Sequence, residues 1–66
     1  MRWHYQIRQR DIDGALFFDI VEMFDGPIGW TEDSMAPSGD TPGELLADLE
    51  RMLADAKRYP IFEEPR

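Results

Sequence analysis

The run Ala15-Leu16-Phe17-Phe18-Asp19-Ile20-Val21-Glu22-Met23-Phe24-Asp25 decides the fold. It is the most apolar stretch of the chain and is rich in β-formers, so it reads as the central strand of a sheet. Upstream, Asp11-Ile12-Asp13-Gly14 offers turn chemistry, with a glycine free to take positive φ. Before that, residues 2–10 alternate: Trp3, Tyr5 and Ile7 point one way, and Arg2, His4, Gln6 and Arg8 the other. Period two with aromatics is the mark of a half-buried strand. A tight hairpin with paired numbers summing to 25 sets Ile7 opposite Phe18, Tyr5 opposite Ile20 and Trp3 opposite Glu22. One side then gathers Trp3, Tyr5, Ile7, Leu16, Phe18, Ile20 and Phe24 as the expected core face. The other gathers Ala15, Phe17, Asp19, Val21, Met23 and Asp25 with His4 and Arg8, an open face neither dry nor fully polar.

Downstream, Asp25-Gly26-Pro27 reads as a second turn and residues 28–33 as a short third strand. A slip of one residue there would move Trp30 between faces, and Trp30 is expected to be at least partly buried. After a Pro-, Ser- and Gly-containing loop at 34–40 comes the strongest local signal, Thr41-Pro42-Gly43-Glu44. It is a capping box, with Thr41 as N-cap, proline at the first helical position and Glu44 reaching back to the cap amide. Leu45, Leu46, Leu49, Met52, Leu53 and Ala56 share one sector at 100° per residue, a stripe wide enough to cover a small sheet. Tyr59-Pro60 ends the helix, and Ile61-Phe62 either docks on the core or adds an edge strand. The expected fold is α+β: a three-stranded antiparallel sheet packed against one C-terminal α-helix, β-β-β-α, in a single domain spanning 1–66.

Charge narrows the function. Fourteen acids face seven Lys plus Arg, and residues 11–50 hold eleven acids without one basic group. Such a chain is poorly suited to gripping a phosphate backbone, which calls for a basic stripe. It is better suited to a protein surface that itself binds nucleic acid. With no cysteine, neither a disulfide nor a thiolate metal site can form. No apolar run approaches the roughly 20 residues of a membrane span, and the first residues lack the charged head and apolar centre of a signal peptide, so cytoplasmic residence is expected, with no membrane partner.

Catalytic chemistry finds little footing. His4 is the only histidine, so no triad or His pair can assemble within one chain. Asp11-x-Asp13 with Glu22 echoes a calcium loop, but Leu16 stands where the loop needs glycine and Ala15 where it needs an oxygen ligand. Paired carboxylates need a cleft to drive their pKa values apart, and so small a sheet offers little depth. The expectation is a non-enzyme without cofactor or metal. The remaining signal is a surface: Asp11, Asp13, Asp19, Glu22, Asp25, Glu32 and Asp33, with Phe17 and Met23 as apolar anchors, form the expected partner-binding set. Asp11 and Asp13 share a strand face, whereas Asp19, Glu22 and Asp25 alternate faces, so no regular phosphate-like ladder is written in the chain.

Trp3-x-Tyr5-x-Ile7-Arg8, Glu22-Met23-Phe24-Asp25-Gly26, Gly29-Trp30-Thr31-Glu32 and Gly39-Asp40-Thr41-Pro42-x-Glu44-Leu45 together resemble a set of short, uncharacterised bacterial and phage proteins. The strand order with a Gly-Asp-Thr helix entry is similar to HicB-like antitoxin domains, from which the chain differs in showing no DNA-binding extension and no convincing fourth strand. Small size, acidity and lack of catalytic groups look like phage anti-CRISPR inhibitors. The latter resemblance implies an inhibitor that occupies a basic nucleic-acid-binding surface of a CRISPR effector subunit in the cytoplasm of a bacterial host cell, as a nucleic-acid (DNA) mimic and without direct nucleic-acid contact. The former implies an antitoxin or dimeric adaptor that neutralises a basic toxin, and a homodimer is compatible with both.

Overall fold

A computed structural model of the chain describes residues 2–25 and 28–65; the turn expected at Gly26-Pro27 and the side chains of Asp25 and Ile28 lie outside that description. Within it the class is α+β. Strands β1 (Trp3–Ile12), β2 (Ala15–Asp25) and β3 (Ile28–Trp30) precede helix α1 (Pro42–Arg58), and β4 (Phe62–Glu63) follows it. The sheet has four strands in the order β3-β2-β1-β4. The β1–β2 and β2–β3 pairs are antiparallel, but β4 runs parallel to β1 with Arg8 opposite Phe62. The expected three-stranded antiparallel sheet is therefore a four-stranded mixed one. The helix turns the chain back along β1, and of the two alternatives for the apolar tail the edge strand forms, over Phe62–Glu63.

The hairpin forms two residues out of the expected register. Ile7 pairs with Ile20, Tyr5 with Glu22 and Trp3 with Phe24, while Ile12 pairs with Ala15. The connecting loop is thus Asp13-Gly14, both at positive φ (52° and 86°). That is the two-residue turn whose twist suits a hairpin, and Asp-Gly tolerates it. A sum of 25 would have placed β-branched Ile12 in the loop, where positive φ is strongly disfavoured. The Asp11 carboxylate accepts from Gly14 N–H at 2.9 Å and fixes the turn. A shift of two preserves the faces, so each strand keeps its expected in–out alternation.

What changes is which face is buried more deeply. On the expected core face Tyr5 is buried, Trp3, Ile7, Ile20 and Phe24 are half-buried, and Leu16 and Phe18 are exposed. On the face expected to be open, Arg8, Val21, Met23 and Gln6 are all buried. The sheet curls over this second face. Trp30, opposite Met23, and Phe62, opposite Arg8, come from the two edge strands and meet with ring centroids 4.9 Å apart. Trp30 is half-buried as expected, but on the Met23 side.

Helix α1 begins as its sequence dictates. Thr41 Oγ1 accepts from Glu44 N–H at 3.1 Å, and Glu44 Oε2 accepts from Asp40 N–H at 2.8 Å, one residue before the expected cap amide. Gly39 is needed beside this first turn, since a Cβ there would fall 2.6 Å from Glu44 Cβ and from Leu45 N. At the other end Tyr59 caps the helix by donating its N–H to Asp55 O at 3.1 Å. The helix lies along β1 on the Tyr5 side, held by polar contacts. Tyr5 N–H donates to Asp55 Oδ2 at 3.0 Å, and Tyr5 OH to Asp48 Oδ1 at 2.8 Å. Arg51, which in sequence could pair with Asp48 or Asp55, sits instead over the Trp3 ring at 4.1 Å. The apolar stripe does not cover the sheet: only Met52 is buried, and Leu45, Leu46, Leu49 and Leu53 are exposed.

Candidate interaction surface

Arg8 organises the interior. Its side chain is 0% exposed and that of Asp19 6%. The two residues are direct cross-strand partners, and the guanidinium fork donates Nε to Oδ1 at 2.9 Å and Nη2 to Oδ2. Nη1 turns to Thr31 O at 3.3 Å and Glu64 Oε1 at 3.4 Å, while Ser34 Oγ donates to Asp19 Oδ2 at 2.6 Å. One ion pair thereby ties β1, β2, the segment after β3 and the segment after β4. Hydrogen bonding from Arg8 holds the Asp19 carboxyl below the usual carboxylate range, aided by Ser34 and opposed by burial. The same bond raises the Arg8 pKa. No buried side-chain nitrogen or oxygen among the described residues lacks a hydrogen-bond partner, as a stable buried charge requires.

The expected partner-binding residues therefore separate into groups. Met23 is buried, and the Asp19 carboxylate is turned inward onto Arg8 with its side chain 6% exposed. Glu22 is half-buried on the Tyr5 face, with its backbone N–H on Thr31 Oγ1. Glu32 and Asp33 are exposed, within a segment that runs along the outer edge of β2, where Thr31 N–H bonds Glu22 O and Met35 N–H bonds Ile20 O. Asp11, Asp13 and Phe17 are exposed at the far end of the hairpin. The Asp25 side chain lies outside the described residues.

That far end is the most distinctive surface. β3 pairs only with residues 23–25 and β4 only with residues 8 and 9, so the tip of the hairpin projects as a two-stranded ribbon. Ile12 and Phe17 are exposed on one face of it, Leu16 and Phe18 on the other. Arg10, opposite Phe17, donates Nε to Glu64 Oε2 at 2.9 Å, so its charge is locally balanced. Asp11 and Asp13 are the exposed acids of the tip. Ile12, Leu16 and Phe18 are surface groups that were not among the expected partner-binding residues. Their alternation matches that of covered strand residues, and only the length of the flanking elements shows that cover stops short of them.

Other chemistry is sparse. An open cleft of about 480 Å³ is lined by Arg10, Gly29, Trp30, Glu32 and Glu64, a volume within the usual range for small ligands, but its one basic group is paired with Glu64. His4 stacks on Tyr59 with centroids 3.6 Å apart. Its Nε2 lies 2.8 Å from Gln6 Oε1, and Gln6 Nε2 donates to Pro60 O at 2.7 Å, which makes the imidazole the donor to Gln6 and gives it a structural role. Among the described residues, no group of His, Asp and Glu is placed to hold a metal ion, and no helix is long and apolar enough to cross a membrane. The chain matches no protein-family model, no curated protein and no solved structure.

Proposed function

We propose that the protein is a small, acidic, non-enzymatic inhibitor that binds a basic, nucleic-acid-binding surface of a protein partner, such as a CRISPR effector subunit, through the tip of its β1–β2 hairpin. The observation that carries this reading is the projecting ribbon with Ile12, Leu16, Phe17 and Phe18 exposed beside Asp11 and Asp13. Exposed aromatic and aliphatic anchors flanked by one sign of charge are the makings of an interface. The surplus of acids steers the chain toward a positive surface. Shape and charge at a tip support plugging a basic groove rather than imitating a regular phosphate ladder, since Asp19 is spent inside the fold.

Capture of candidate effector subunits by the purified chain at two salt concentrations tests the reading. Binding should weaken strongly with salt, because exposed charges are screened beyond about 10 Å at 0.1 M. It should also fall with Phe17→Ser and with Asp13→Lys. Capture indifferent to salt and to both substitutions would sink the proposal. A second reading, a HicB-like antitoxin or dimeric adaptor covering a basic toxin, gains from the fourth strand. A small basic toxin encoded beside this gene would favour it, and defence-related or phage neighbours the inhibitor.

A further inference from the structure

Helix α1 presents its apolar stripe away from the sheet. At 100° per residue the residues turned toward β1 are Asp48, Met52 and Asp55, whereas Leu45, Leu49, Leu53 and Leu46 centre roughly 100° further round the axis. The four leucines are 36%, 43%, 57% and 59% exposed in that order. An amphipathic helix draws most of its stability from burying such a stripe, and here the chain itself buries only Met52. We propose that a second copy of this chain covers the stripe, the two α1 helices packing antiparallel about a twofold axis near Leu49. This concerns a different surface from the hairpin tip and does not depend on the inhibitor reading.

Two features favour a second copy. The first is area. A leucine side chain offers somewhat less than the roughly 150–250 Å² of an aromatic, so these exposures leave on the order of 300 Å² of leucine surface per copy. Two copies supply about 600 Å², more than half the apolar area of a standard interface of about 1,600 Å² in all. The second is the helix dipole. Antiparallel pairing about Leu49 sets Leu45 against Leu53 of the second copy and lays the N-terminal end of each 17-residue helix beside the C-terminal end of the other, so that the two dipoles oppose favourably. A parallel pair would set like ends together. A lipid surface is the poorer occupant, since the polar side of α1 carries Glu44, Asp48, Glu50 and Asp55 against Arg51, Lys57 and Arg58, not the basic excess that such helices use.

Sedimentation equilibrium over a range of concentrations, read with cysteine cross-linking, tests the dimer. The wild-type chain should approach twice its monomer mass. It should do so even at about 1 M salt, where the Debye length is near 3 Å and capture of a basic partner is screened. Leu49→Glu should weaken self-association by on the order of 100-fold or more, because it buries two charges at the axis, while leaving the far-ultraviolet circular dichroism unchanged at this exposed site. The chain has no cysteine of its own, so Leu49→Cys should oxidise to a covalent dimer. Leu53→Cys should not, its two copies standing ~12 Å apart along the axis at 1.5 Å per residue. A wild-type chain that stays monomeric, a Leu49→Glu chain that still dimerises, or Leu53→Cys copies that cross-link as readily as Leu49→Cys would overturn the proposal. So would leucine substitutions that abolish capture of a different protein while wild-type self-association is absent.

Discussion

Replacing Asp19 by alanine removes the main counter-charge of a guanidinium with no solvent exposure. Breaking a buried ion pair by deleting one partner typically costs about 3–5 kcal/mol, because the remaining charge is left buried and uncompensated. Here Arg8 retains Glu64 Oε1 at 3.4 Å and Thr31 O at 3.3 Å, and the Glu64 side chain is 24% exposed, so the loss belongs near the lower end, about 3 kcal/mol. A chain of this length holds roughly 3–10 kcal/mol in total, at 0.05–0.15 kcal/mol per residue. Asp19→Ala therefore consumes a large share of the stability, and urea unfolding should show a much lower midpoint at an unchanged slope. The apolar double replacement Arg8→Met with Asp19→Leu removes both charges, and such swaps are often neutral or stabilising by about 1–4 kcal/mol. It should recover most of the loss. An Asp19→Ala midpoint within about 0.5 kcal/mol of wild type, or a double variant no more stable than the single one, would refute the view that this pair is a desolvated, mutually dependent unit.

Other consequences follow from the same packing. Burial and the hydrogen bond to Asp48 push the Tyr5 phenol up to about 12. The unfolded chain loses that proton near pH 10, so the stability from the neutral phenol is complete below pH 10 and declines as pH rises through about 12. At 1.36 kcal/mol per unit the decline is at most about 2–3 kcal/mol, and it should vanish from the alkaline unfolding profile of Tyr5→Phe. Asp19 acts in the opposite direction. Its folded pKa is depressed, so its contribution is present above the ordinary carboxylate range and should be lost as acid titration passes down through the folded value; Asp19→Asn should flatten that limb. Phe62→Ala opens the ring contact with Trp30 above Arg8. The half-buried ring should cost about 2 kcal/mol, below the 3–5 of a fully buried one, with a changed Trp30 fluorescence. Thr41→Ala should cost about 1 kcal/mol by freeing the Glu44 N–H, measured as a lower thermal midpoint.

Much of the local structure was legible from the chain. Alternation at Trp3, Tyr5 and Ile7 marks β1, the apolar run marks β2, and Thr41-Pro42-Gly43-Glu44 starts α1, because these depend on neighbours within a few residues. The register was less legible, although the Asp13-Gly14 loop follows from which residues accept positive φ. Of the candidate surface, Asp11, Asp13 and Phe17 could be named in advance. Asp19 looked the same in sequence, yet its side chain is turned inward, since its fate depends on Arg8 standing directly across the hairpin.

Local sequence was enough to place β1, β2 and α1, the two faces of the hairpin and the excess of acid, whereas β3 stops at Trp30, short of the expected 28–33, and β4 forms at Phe62–Glu63. Which sheet face is buried more deeply and which way the leucine stripe points were settled by contacts between distant segments. Period two shows that a strand has two sides, but not which one its neighbours cover. That depended on β4 arriving parallel to β1 and on Phe62 reaching Trp30 across the curl. Period 3.6 likewise shows that α1 has an apolar side, yet the hydrogen bonds of Tyr5 to Asp48 and Asp55 set its rotation and leave Leu45, Leu46, Leu49 and Leu53 facing outward.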